Sequence, residues 1–115
     1  MLPIRTRLYN DQSIKEAIEA RKKDERYFLV FDRSEKVVGV LFHEFINHAQ
    51  AERDLDSQIE KYLSHSWELV PHHMSLERVI VLFQRRGYGI VPIVQNDQLV
   101  GQLDIDQLNR FVKKV

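Results

Sequence analysis

At 115 residues, 43% of them hydrophobic and 30% charged, the chain has the composition of a folded protein rather than a disordered one, and its length suits one domain and is short for two. The 17 Lys and Arg residues balance the 17 Asp and Glu residues, so no net field draws it to nucleic acid or to an anionic membrane surface. It has no cysteine, which excludes disulfides and thiolate metal sites and fits a cytoplasmic location, and it shows neither a signal-peptide h-region nor an apolar run near the roughly 18 residues of a membrane span.

Residues 3–8 read as a first strand. Ser13-Ile14-Lys15-Glu16-Ala17-Ile18 then opens a helix with apolar positions at i, i+3 and i+4, and Ser13 with Glu16 has the form of a capping box, in which the hydroxyl takes a free N–H of the first turn and the carboxylate reaches back. The basic run Arg21-Lys22-Lys23, with Arg26 beyond it, reads as the solvated end of that helix. Residues 28–31 and 37–41 are apolar runs of strand length, separated by the polar turn Arg33-Ser34-Glu35-Lys36. An amphipathic helix follows with Phe45, Ile46 and Ala49 inward.

Residues 51–56 are charged, and residues 57–63 form a short helix with Ile59, Tyr62 and Leu63 inward and a second capping box, Ser57 with Glu60. Residues 67–71 match the first strand. Ser75-Leu76-Glu77-Arg78-Val79-Ile80-Val81-Leu82-Phe83 repeats the helix that Ser13 opened, with Ser75 as its cap and Gly87 as its C-terminal cap within Arg85-Arg86-Gly87-Tyr88-Gly89. Strands over 90–94 and 99–103 follow, joined by Gln95-Asn96-Asp97-Gln98, and a last helix carries Ile105, Leu108, Phe111 and Val112. Val38-Gly39 and Val100-Gly101 stand at the same offset as Ser13 and Ser75, so one helix, strand, strand, helix unit occurs twice. The units are placed at 1–50 and 65–115, with 51–64 connecting them. No stretch is rich enough in Pro, Gly or Ser to be a free linker, so the halves are expected to pack as one α/β (α+β) module.

Three groups invite chemical readings. His43-Glu44-Phe45-Ile46-Asn47-His48 offers two histidines at i and i+5, whereas a helical zinc pair needs i and i+4; the rings would point about 140° apart, so two surface histidines are the simpler reading and a small metal-dependent hydrolase on His43, Glu44 and His48 the lesser one. His72-His73 reads as a solvated loop. No Gly-x-Ser-x-Gly elbow is present, and no catalytic residue and no metal ligand is assigned.

Leu29-Val30-Phe31-Asp32 with Lys36-Val37-Val38-Gly39-Val40-Leu41, and Pro92-Ile93-Val94 with Gln98-Leu99-Val100-Gly101, resemble the strand pair of the CBS (cystathionine-β-synthase type) domain, and Ile59-Glu60-Lys61-Tyr62-Leu63-Ser64 resembles the segment before its repeat. The likeness covers almost the whole chain. It implies two CBS β/α units related by a pseudo-twofold axis, a non-catalytic module that regulates an attached or partner protein, pairs with a second copy, and in many members binds AMP, ADP or ATP. No cofactor is otherwise expected in this chain.

The family's nucleotide sites carry Ser or Thr three residues after the strand glycine and Asp six after it. Here those positions are Phe42 and Phe45 after Gly39, which cannot accept ribose hydroxyls, and Asp104 and Gln107 after Gly101, which are polar but a different pair and can equally form a helix cap. The residues that the resemblance offers for ligand contact are Gly101, Asp104, Gln107, Pro92, Arg86 and Tyr88. The ending Leu99-Val100-Gly101-Gln102-Leu103-Asp104-Ile105-Asp106-Gln107-Leu108-Asn109-Arg110-Phe111 is similar to that of CBS pairs carried by site-2-protease-like membrane zinc metalloproteases. On that likeness the chain would be a piece of such an enzyme, held at the cytoplasmic face of a membrane without inserting into it, with zinc and catalysis outside the chain.

Overall fold

The computed structural model describes residues 3–113. In chain order the elements are β1 (Leu8–Tyr9), α1 (Ile14–Ala20), β2 (Tyr27–Phe31), β3 (Val37–Phe42), α2 (His43–Ala51), a single 3₁₀ turn (Ile59–Tyr62), β4 (Val70–Pro71), α3 (Leu76–Arg86), β5 (Ile90–Gln95), β6 (Gln98–Asp104) and α4 (Ile105–Lys113). They form two compact units, one of residues 5–65 and one of residues 66–113 together with residues 3 and 4. No described helix is long and apolar enough to cross a membrane.

The repeat seen in the sequence is a repeat of topology. Each unit holds a three-stranded sheet, β1-β2-β3 or β4-β5-β6, with the first pair parallel and the second antiparallel. The register breaks at equivalent places, between Val30 and Phe31 and between Ile93 and Val94. The first strand of each unit, β1 and β4, has only two residues, shorter than the runs 3–8 and 67–71 that the sequence suggests. The β5–β6 connection is a two-residue hairpin in which Asn96 and Asp97 both take positive φ, 51° and 62°, values that Asn and Asp tolerate and that match the twist of the flanking strands.

The caps behave as sequence chemistry predicts where nothing competes for them. Ser13 Oγ accepts the Glu16 N–H at 3.1 Å and Glu16 Oε1 accepts the Ser13 N–H at 3.2 Å. Ser75 caps α3 through the Arg78 N–H, and Gly87 ends it in the left-handed region at φ 67°. The Ser57–Glu60 box does not form: the turn's N-cap is Gln58, without a side-chain bond, because the Ser57 hydroxyl donates to Asp54 instead. Nor is the basic run a helix end. Arg21 leaves α1 with ψ 142°, so Lys22 and Lys23 lie beyond the helix, where Glu25 accepts the Lys22 N–H.

The first core is built from Leu8, Ile14, Phe28, Val30, Leu41, Ile46 and Ile59, all at most 1% exposed. Ile59 brings the connecting segment into that core, and burial of such a side chain contributes about 1.5–3 kcal/mol. The segment is held along its length by backbone bonds: Ile59 N–H to Gln12 O, Ile14 N–H to Ser57 O, and a reciprocal pair between Val40 and Ser64 at 3.0 and 2.8 Å. Gly39 makes that last pairing fit, since a Cβ there would stand 3.0 Å from Leu63 Cδ1 and 3.1 Å from Ser64 O. The second core gathers Val70, Val79, Phe83, Val91, Ile93 and Leu108. Phe111 and Val112, placed inward by the helical pattern, are 55% and 44% exposed.

Candidate functional site

The corner between the second hairpin strand and the helix after it is where the two units differ in chemistry. In the first, Phe42 and Phe45 stack with ring centroids 5.3 Å apart, Tyr27 meets Phe42 edge-on at 5.5 Å, and the Arg26 guanidinium lies over Tyr27 at 5.6 Å. This corner has no side-chain oxygen at the two positions after Gly39 and is aromatic throughout. Beside it an open hollow of about 600 Å³ is lined by charges of both signs, Arg21, Lys22, Lys23 and Arg26 with Asp24 and Glu25, and by His43.

In the second unit the corresponding pair is committed to the backbone. Asp104 Oδ1 accepts the Gln107 N–H at 2.8 Å, and Gln107 Oε1 accepts the Asp104 N–H at 3.0 Å. Burial of the Asp104 carboxyl raises its pKa, with the Gln107 N–H opposing the shift. The Ile105 N–H binds Gly89 O, tying the start of α4 to the loop before β5. Gly101 is buried opposite Ile93, and Pro92 is buried opposite Gln102, on a stretch of β5 that β4 does not flank.

Arg86 and Tyr88 belong elsewhere. The Tyr88 hydroxyl donates to Glu68 Oε1 at 2.8 Å, its ring meets Phe83 edge-on, and its pKa is raised by burial and by that bond. Arg86 lines a hollow on α3 together with Glu68. The six candidates therefore divide: Gly101, Asp104 and Gln107 share the β6–α4 corner, Pro92 lies within the sheet, Tyr88 binds Glu68, a partner that no local spacing indicates, and Arg86 lines the hollow on α3.

The histidines also differ from the simple reading. His43 is half-buried at the start of α2, edge-on to Tyr27, with a buried Nδ1 that has no hydrogen-bond partner among the described residues, while His48 is exposed beside Tyr62. His72 and His73 are exposed in a loop, their rings 5.5 Å apart. Among the described residues no group of three or more His, Asp or Glu is placed to hold a metal ion.

The most heavily engaged carboxylate is Asp54, which sequence reasoning passes over as one charge in a charged stretch. It accepts from Ser57 Oγ, Lys61 Nζ and Tyr62 OH, which hold it well below the usual carboxylate range, Lys61 contributing most.

Residues 59–114 match the CBS domain family. That match begins inside the segment that packs on the first unit, so the family boundary in sequence and the boundary between compact units do not coincide. An uncharacterized 17.7 kDa protein in the bps2 3' region of Acidianus ambivalens is 28% identical over 88 residues, covering 76% of this chain and 54% of that protein, so the chain spans about half the length of the curated relative it matches. Among solved structures, a putative acetoin utilization protein (AcuB) from Vibrio cholerae superposes with a TM-score of 0.81 at 17% identity over 99% of this chain and 87% of that one. The CBS domain pair of protein MJ0100, in complex with 5'-methylthioadenosine and S-adenosyl-L-methionine, gives 0.80 at 20% identity over 99% and 90%. GMP reductase from Trypanosoma brucei gives 0.80 at 20% identity over 97% of this chain and 26% of that one. The fold of the chain is that of a CBS-domain pair, as the resemblance implies.

Proposed function

We propose that this chain is a non-catalytic regulatory module of the CBS type, located in the cytoplasm, which acts as a homodimer and modulates an attached or partner protein through protein contact. The observation that carries this reading is the state of the two corners. One is closed by the Phe42–Phe45 stack, and in the other Asp104 and Gln107 cap each other. Neither offers the free hydroxyl and carboxylate that a ribose takes, so contact with protein is favoured over ligand sensing.

The second reading is an adenine-nucleotide sensor at the Gly101–Gln107 corner. It is supported by the adenosine-derived ligands of the MJ0100 pair, which has the same fold. Melting curves with and without millimolar AMP, ADP, ATP and S-adenosylmethionine separate the two. A ligand at about 100 times its dissociation constant adds about 2.7 kcal/mol, a shift of several degrees for a domain of this size. The protein-contact reading expects no shift with any of the four, and a selective rise with one would replace it with the sensor. For the host, the sequence from Leu99 to Phe111 supports a site-2-protease-like membrane metalloprotease, and co-purification of the native protein from membrane extracts with a different class of partner would overturn that assignment.

A further inference from the structure

The two units build the corner between hairpin and helix from the same backbone and different side chains. The His43 N–H binds Arg26 O where the Ile105 N–H binds Gly89 O, and Tyr27 pairs with Phe42 where Ile90 pairs with Asp104. Position by position, Arg26, Tyr27, Phe42 and Phe45 therefore stand where the second unit has Gly89, Ile90, Asp104 and Gln107. The second unit closes its corner with a fully buried Ile90 and a self-contained cap, so the fold itself requires neither three aromatic rings nor a guanidinium at this place.

The rings are not sealed off. Tyr27, Phe42 and Phe45 are each half-buried and Arg26 is exposed. The hollow beside them sets Arg21, Lys22, Lys23 and Arg26 against Asp24 and Glu25, four cations to two carboxylates. Glu25 is already taken by the Thr6 hydroxyl and the Lys22 N–H. Among the described residues no ion pair or side-chain hydrogen bond engages Arg21, Lys23 or Asn47, all of which line the hollow. Accessible aromatic rings next to an arginine are the composition of the energetic centre of a protein contact. The surplus of positive charge selects an acidic occupant, and a ring brought by that occupant can stack on the Phe42–Phe45 pair.

We infer that the corner of Tyr27, Phe42 and Phe45, with Arg26 and Lys23 beside it, receives a short acidic segment of the partner protein that carries an aromatic side chain. The inference rests on the protein-contact reading above and adds to it the place and the chemistry of the contact.

A fluorescent peptide of glutamates around a single phenylalanine is the probe, read by polarisation. Binding should saturate, weaken as salt is raised, and be absent for the counterpart with lysines in place of glutamates. Lys23→Glu, at an exposed turn, should weaken it about tenfold or more. Phe42→Asp combined with Phe45→Gln gives the first unit the pair that the second unit already carries, and should fold, as melting curves will check, while losing the peptide; if that variant unfolds, Lys23→Glu decides alone. The inference is overturned by wild-type protein that shows no saturable binding, or by binding that the folded variants leave unchanged. Binding to vesicles of anionic lipid in place of the peptide overturns it too and assigns the face to a membrane. A selective rise in melting temperature with one nucleotide overturns the protein-contact reading itself, whereas loss of the peptide result alone leaves that reading standing and removes only this site.

Discussion

Asp104 and Gln107 hold each other across the start of α4, each accepting the other's backbone N–H, at 2.8 and 3.0 Å. A pair bonded in this way stabilises the helix with no ligand present. Asp104→Ala should therefore lower the stability of the ligand-free protein by about 1 kcal/mol, the usual worth of an N-cap side chain, which thermal or urea unfolding will register. An unchanged melting temperature would mean that the carboxylate serves something other than the fold.

A Cβ at Gly39 would stand 3.0–3.2 Å from Leu63 and Ser64, tighter than ordinary contact, so that the connecting segment would have to give way. Gly39→Ala should lift that end of the connecting segment from β3, speeding exchange of the Val40 and Ser64 amide hydrogens, which bond each other's carbonyls in the native fold. Ile59→Ala should cost about 2–5 kcal/mol, the range for truncating a fully buried aliphatic side chain. Wild-type exchange rates in Gly39→Ala, or a loss well under 1 kcal/mol in Ile59→Ala, would show that the segment is not part of the first unit's core.

Asp54 gives the same segment a pH dependence. Its pKa is depressed in the fold, first by the bond from Lys61 and then by those from Ser57 and Tyr62. A depressed carboxyl contributes stability that is complete above its unfolded pKa of about 3.9 and is lost as pH falls toward the folded value. Asp54→Asn should accordingly be less stable than wild type at neutral pH, with the gap narrowing as pH drops from about 5 to about 2. Denaturant midpoints at several pH values will check this. A gap that stays constant across that window would place the stabilisation in hydrogen bonding alone.

What the sequence by itself determined is what short-range patterns encode. The apolar runs of strand length, the Ser13–Glu16 and Ser75 caps, the Gly87 stop and the polar hairpin turn each depend on residues within a few positions of one another, and their recurrence showed the duplicated unit and the likeness to a CBS pair. Tertiary structure decided the rest wherever a group had to choose between partners far apart in the chain. The Ser57 hydroxyl binds Asp54 and not Glu60, Tyr88 turns to Glu68, Ile59 enters the core of residues 5–65, and His43 is half-buried against Tyr27. Asp104 is the instructive middle case. Its spacing to Gln107 fits either a cap or a ligand site, and only the folded backbone, which brings the Gln107 N–H to the carboxylate and buries the amide that answers it, shows the pair engaged as a cap.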